Sequence, residues 1–595
     1  MKRLFERLRA GTMVAAKRAG HGSAIDESPP RGVASGFAIA RKIHSSTPTL
    51  SSNDQIQSPG LQRKPCSVWT MEAVSKECLP YDAEFFNFTR GRFVTNEQHE
   101  LSQRHRTFDV TELARHAAHA VQADRCLRIE KYPDGMYNRV LLLSMDNGKE
   151  VVAKIPNPNS GQPHFTTASE VATMQFAREV LRTPVPEVYA WSSRAQETLV
   201  GAEFILMEKM NGMELENFLP GMKLQDRLEV VKAIASYQKS WASVSFMQFG
   251  SLYFPADVGE SAHLPLTYLD HEGRQVNDPR FVVGPSAGRE MFDDGRANIE
   301  FDRGPWKSLE DYHAAIGKRE MACVQHISQL PPSPVSLHGP GLYQPTREKK
   351  VKALQTYLKL FKYLLPTDRR LQSANIWHGD LHAGNIFVNP ANPAQIVGLI
   401  DWQSTELSPL YFQARQPHFI DHEGPATHGL ERPSLPPDFA QLDASDKRAA
   451  QALFLHQSLC AMYRTIVHHE CPKIYECFEF QESPAFALLL LARNILVDGE
   501  ASYVAQACEL KDIWETLPGA QDTAFPVSFS PAEMQTMQAD VESAALGMAA
   551  MQRMRETLGD LFPEQGYVSP DRHQEAIDAI NQMRDQVISD SRQAR

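Results

Sequence analysis

The sequence predicts an α+β, bilobal fold, with a small β-rich amino-terminal lobe and a large, mainly helical carboxyl-terminal lobe. Three observations carry that prediction. Short β-branched and aliphatic runs crowd residues 126–155, helical periodicity takes over from Leu224, and a polar loop at 378–385 precedes two apolar runs that end in Ile400-Asp401-Trp402.

In chain order, Cys126-Leu127-Arg128-Ile129-Glu130 and Arg139-Val140-Leu141-Leu142-Leu143-Ser144 read as strands around the loop 132–138, whose single glycine is Gly135. Asp146-Asn147-Gly148 reads as a hairpin turn, because Asn and Gly tolerate positive φ. It leads into the strand Val151-Val152-Ala153-Lys154-Ile155. Thr167-Ala168-Ser169-Glu170 has the form of a capping box opening a helix with apolar Val171, Met174, Ala177 and Leu181. Residues 183–188 read as an edge strand with prolines confined to its start, and Phe204–Glu208 as a buried strand that breaks at a turn ending in Gly212. Helices are predicted at 224–244, 309–330, 347–365, 446–468, 484–496, 531–558 and 571–591. The part around 250–305, rich in Gly, Pro and Asp, reads as loops and short strands.

The chemistry lies in His378-Gly379-Asp380-Leu381-His382-Ala383-Gly384-Asn385. Ile386-Phe387-Val388 and Ile396-Val397-Gly398-Leu399-Ile400 flank a stretch dense in turn formers, so they predict a β-hairpin with Asn385 entering and Asp401 leaving at the same end. Phosphoryl transfer from ATP needs a carboxylate beside the attacking hydroxyl and oxygen ligands for Mg²⁺. Asp380 is the candidate base, Asn385 and Asp401 the candidate metal ligands, and Lys154, on a strand like the kinase pattern Val-Ala-Ile-Lys, the candidate phosphate-binding cation. A lone Asp or Asn is more often a turn or cap residue; three at this spacing around a hairpin point to Mg·ATP chemistry.

His378-Gly379-Asp380-Leu381-His382 with Gly384-Asn385-Ile386 and Ile400-Asp401-Trp402 resembles the aminoglycoside phosphotransferase family, the small-molecule branch of the protein-kinase-like fold. The wider pattern, including a basic leader and residues 167–174, resembles the fungal mitochondrial "altered inheritance of mitochondria" phosphotransferase-like proteins. The resemblance implies ATP and Mg²⁺ as cofactors and a small-molecule hydroxyl as acceptor. It also implies Glu170 as carboxylate partner to Lys154, in competition with its capping role. Adenine contacts would fall on main-chain groups near Glu208 and Met210, and Gly135 would lie in the loop over the phosphates. Ala383 stands where the family often has Pro, and Gln403 where an acid is common. A protein kinase would show three glycines over the phosphates and an Ala-Pro-Glu segment after Asp401, both missing here. The alternative reading is a nucleotide-binding pseudokinase or scaffold in mitochondria.

Composition agrees with a large enzyme: 595 residues, 42% hydrophobic, with eight cysteines that form no Cys-x-x-Cys pair and read as reduced thiols. No run reaches the roughly 18 apolar residues of a membrane span. Residues 1–45 hold nine Lys or Arg against three acids, with Leu4, Phe5 and Leu8 on one helical face, the pattern of a mitochondrial transit peptide. The acidic remainder carries no basic stripe and argues against nucleic acid. The expected division is a transit peptide at 1–45, an extension at 46–105, the amino-terminal lobe at 106–210, the carboxyl-terminal lobe at 211–520 with an insertion near 250–345 that shapes the acceptor pocket, and a helical extension at 521–595. The identity of the acceptor and the oligomeric state are not written in any motif.

Overall fold

The computed structural model describes residues 67–70, 85–259, 264–339, 341–425 and 427–593. The leader read at 1–45 lies outside the described residues. Six antiparallel strands form the amino-terminal sheet: β1 (Ser67–Thr70), β2 (Cys126–Lys131), β3 (Asn138–Met145), β4 (Glu150–Pro156), β5 (Val188–Ser192) and β6 (Phe204–Glu208), in the order β1-β2-β3-β4-β6-β5. The β3–β4 turn is made at Gly148, whose φ of +81° is open to glycine without steric cost.

Strand alternation then decides what each face touches. Val151, Ala153 and Ile155 of β4 join Leu141 and Leu143 of β3 in a core closed by Leu113 and Ala117 of helix α1 (Val110–Ala120). Val152 and Lys154 point the other way. There the second helix, α2 (Phe165–Glu179), packs its Val171, Met174 and Ala177 into the main core, which continues through the carboxyl-terminal lobe.

Two local expectations are corrected. Helix α2 starts at Phe165, upstream of the expected cap, with His164 at the N-cap and no side-chain cap bond. Thr167 is therefore inside the helix, and its hydroxyl donates to Glu203 Oε2 at 2.6 Å, so no capping box forms around Glu170. The edge strand begins only at Val188, because the proline-flanked residues before it are engaged elsewhere. Thr183 Oγ1 accepts a hydrogen bond from Trp241 Nε1 at 2.9 Å, and Pro184 O accepts one from Leu399 N at 2.7 Å. The segment ties the lobes together instead of extending the sheet.

The carboxyl-terminal lobe is helical, at Leu224–Ser243, Leu309–His326, Arg347–Leu364, Ala444–Glu470, Pro472–Gln481, Pro484–Ala492, Glu500–Glu509, Pro531–Leu558 and His573–Gln593. The helix expected at 484–496 stops at Ala492, where Arg493 turns back to bond Glu290. Within 250–305, Ser251–Tyr253 pairs with Val282–Gly284, and Leu266–Leu269 with Gln275–Asp278. Near the carboxyl end, Tyr567–Val568 pairs with Arg92–Phe93, so the far end of the chain is stitched to the segment preceding the amino-terminal lobe. Among the described residues, no helix is long and apolar enough to cross a membrane.

Candidate active site

The predicted hairpin forms, as Ile386–Asn389 against Asn392–Leu399, with Ile386 opposite Leu399. The Asn389 side chain makes its turn by accepting from Ala391 N at 3.0 Å. Ile400 N donates to Asn385 O at 3.0 Å and carries the ladder one step further. Asn385 and Asp401 accordingly leave the hairpin at one end.

The loop before it is braced from beneath. His378 is buried, its Nε2 lying 2.8 Å from Ile400 O while Asp380 N donates to its Nδ1 at 3.3 Å. A carbonyl only accepts and an amide N–H only donates, so the neutral Nε2–H tautomer satisfies both. Burial pushes the imidazole down to about 4, which keeps it neutral. Its ring meets Trp402 edge-on at 4.7 Å, and Trp402 in turn meets Trp241 at 5.5 Å. The His and Trp of the two motifs are thus one packed unit that fixes the acids between them, and His378 has no free proton-transfer role. Asn385 Nδ2 donates to Asp380 O at 2.9 Å, which orients the amide and sets its oxygen as the acceptor end. Arg415 lies within electrostatic range of Asp380.

Lys154 crosses the cleft. Its Nζ is 2.6 Å from Glu170 Oε1 and 2.7 Å from Asp401 Oδ1, joining strand, helix and hairpin end in one charge cluster. Burial lowers the ammonium, yet Asp401 and Glu170 together hold it above the ordinary lysine range. Burial raises Glu170 and Lys154 only partly offsets it, so that carboxyl stays above its usual range. At Asp401, burial is outweighed by Lys154 and the carboxyl lies below its usual range. Asp401 also has φ +64°, a left-handed conformation that Asp tolerates better than most residues. The Asn385 amide oxygen and the Asp401 carboxylate are hard oxygen donors at one hairpin end, a set suited to Mg²⁺ completed by phosphate oxygens and water.

The other expected positions fall around this cluster. Gly135 lies in the loop between β2 and β3 and closes a turn by donating to Asn138 O at 3.1 Å. Glu208 ends β6, with its side chain turned toward Arg178 and Glu187 N. Met210 packs on Gly398 of the hairpin, where a Cβ would come within 2.5 Å of the Met210 methyl. Lys154, Glu170 and Asp401 are in direct contact, Asp380 and Asn385 are joined through the loop, and the Glu208 side chain stays outside the cluster.

Gln403, Tyr137 and Arg289 have structural roles at the cleft that sequence reasoning did not assign. Gln403 spans the lobes, accepting from Asn138 Nδ2 at 2.6 Å and donating to Ser160 O at 2.8 Å. Its place beside the Asp-Trp pair was the one available signal. Arg289 lies within 250–305, where no motif marks it.

A lysine–carboxylate cluster at the end of a β-hairpin, under a small β-sheet, fits a kinase-like phosphotransferase fold. Residues 128–412 match the model of the phosphotransferase enzyme family. A subtelomeric hrmA-associated cluster protein of Aspergillus fumigatus is 29% identical over 506 residues, covering 79% of this chain and 94% of the relative. Altered inheritance of mitochondria protein 9, mitochondrial, of Yarrowia lipolytica is 23% identical over 495 residues, covering 79% and 83%. Among solved structures, an ADP-bound aminoglycoside phosphotransferase aligns at 11% identity with a TM-score of 0.31, over 74% of this chain and 99% of that one.

Proposed function

We propose that this protein transfers the γ-phosphoryl group of ATP to a hydroxyl of a small molecule. The single observation carrying this reading is Lys154 held between Glu170 and Asp401, at the hairpin end that also presents Asn385. Lys154, oriented by Glu170, binds the nucleotide phosphates. Asp380 accepts the proton of the acceptor hydroxyl while the new P–O bond forms and the bond to the β–γ bridging oxygen breaks, so that ADP leaves. Asn385 and Asp401 hold Mg²⁺, which supplies neutralisation of the phosphate charge. Main-chain groups near Glu208 and Met210 receive the adenine, and the loop carrying Gly135 lies over the phosphates. The insertion shapes the acceptor pocket.

The Arg-rich leader at 1–45 and the mitochondrial designation of several yeast relatives support a mitochondrial location. The test is ADP release with Mg·ATP across a panel of hydroxylated metabolites, for wild type and Asp380→Asn. Turnover on at least one acceptor, reduced by roughly 10²–10⁴ in the variant, is expected. Mg·ATP binding without turnover on any acceptor, unchanged by the substitution, would instead support a nucleotide-binding scaffold.

A further inference from the structure

The loop between β2 and β3 has one glycine where a phosphate-covering loop ordinarily relies on several, and the structure holds it with side chains instead. Asp134 is buried at its bend. Its Oδ2 takes a 2.8 Å ion pair from Lys131 and hydrogen bonds from Thr89 N and Oγ1 at 3.0 and 2.9 Å, and its Oδ1 lies 3.4 Å from Arg139 Nε. These ties fix the base of the loop to the amino-terminal lobe. The outer part, Tyr137 and Asn138, is held from the opposite lobe. Asn138 is tied to Gln403, and the Arg289 guanidinium lies over the Tyr137 ring at 3.6 Å from its centroid.

Arg289 is itself held by four hydrogen bonds. Nε and Nη2 bond Asp293 at 2.9 and 2.5 Å, and Nη1 donates to Asn159 O and Ser160 O, both at 3.1 Å. With four of its five N–H donors spent on Asp293 and two carbonyls, Arg289 serves to fasten. The two carbonyls belong to the segment joining β4 to α2, which also receives Gln403 at Ser160. One residue of the insertion therefore clamps both the tip of the loop and the segment running between Lys154 and Glu170. A flat, delocalised guanidinium suits this double task, whereas a lysine ammonium cannot stack and bridge at once.

We propose that Arg289 is a positioning residue that latches the 132–138 loop closed over the phosphate subsite, replacing with a cross-lobe clamp the order that a glycine-rich loop draws from its own backbone. The phosphate part of this proposal rests on the phosphotransferase reading; the clamp itself does not. The experiment compares wild type, Arg289→Ala, Arg289→Lys and Tyr137→Leu by hydrogen–deuterium exchange and by Mg·ATP and adenosine titration. In Arg289→Ala, exchange in 132–138 and 157–161 is expected to rise at least tenfold, with exchange in the helix 347–364 unchanged. Mg·ATP affinity is expected to fall about tenfold while adenosine affinity holds, with Tyr137→Leu raising exchange in 132–138 and Arg289→Lys failing to restore wild-type exchange. Unchanged exchange in 132–138, or equal losses for Mg·ATP and adenosine, overturns the proposal. If wild type binds no Mg·ATP but the exchange response appears as stated, the clamp stands and the phosphotransferase reading fails.

Discussion

Replacing Lys154 and Glu170 separately should produce opposite patterns, and the charge cluster says why. Lys154→Met removes the one cation that two carboxylates share, at 2.6 and 2.7 Å. Stripping one partner from a buried ion pair typically costs about 3–5 kcal/mol, because the other charge is left desolvated and uncompensated. Glu170→Gln is a different perturbation. Burial outweighs Lys154 at this carboxyl and raises it, so an isosteric amide relieves a desolvated charge while keeping an oxygen for Nζ. Its effect on stability should stay within about 1 kcal/mol. Its effect on nucleotide should not: with Glu170 neutral, Asp401 alone competes for Lys154, and the cation is drawn from the phosphates toward the hairpin. An affinity loss of about tenfold, or about 1.4 kcal/mol, is expected. Urea unfolding of the three proteins gives the stability ranking, and Mg·ATP titration gives the binding ranking. If Glu170→Gln destabilises as much as Lys154→Met and binds Mg·ATP as wild type does, the cluster is a structural bridge and not a phosphate-orienting device.

Two further outcomes follow from the same geometry. His378 titrates near 4 when folded against an ordinary value of 6.5, so in that window the unfolded chain binds a proton that the folded chain refuses. Stability should therefore be complete above about pH 6.5 and fall toward pH 4 by up to about 3 kcal/mol. His313, also buried and pushed down to about 3, adds in the same direction; His378→Gln should flatten part of the slope in urea unfolding at stepped pH, and an unchanged slope would contradict the assignment. Gly212, in the turn after β6, leaves no room for a methyl: a Cβ there would sit 2.6 Å from Val388 O and 2.7 Å from Val397 Cγ2. Gly212→Ala should cost about 1–3 kcal/mol in unfolding free energy, and a neutral result would mean that the backbone there yields freely.

What the sequence made legible was whatever local pattern decides. The hairpin at 386–400 was readable because its apolar runs alternate around a cluster of turn formers, and the turn at Gly148 because only a few residue types favour positive φ. Helix 531–558 matches at both ends, and Ser530 and Glu533 close a capping box at its N-terminus. The same motif misled at Thr167, where burial against Glu203 and the pull of Glu170 toward Lys154 outweighed the local cap. The strand expected from 183 failed for a similar reason: Thr183 and Pro184 meet partners at Trp241 and Leu399, far away in sequence. Asp380, Asn385 and Asp401 could be singled out as candidates because their spacing around the hairpin is local in the sequence. Gln403, Tyr137 and Arg289 meet only across the lobes, and nothing in a linear reading brings residue 289 to residue 137.

The central claim is that Asn385 and Asp401 present Mg²⁺ to a nucleotide held by Lys154. Calorimetric titration of ATP into wild type and Asp401→Asn, each with Mg²⁺ and with the metal chelated, tests it most directly. Mg²⁺ should tighten ATP binding by wild type at least tenfold and leave Asp401→Asn nearly unaffected; equal affinity for ATP with and without Mg²⁺ in wild type would contradict the account.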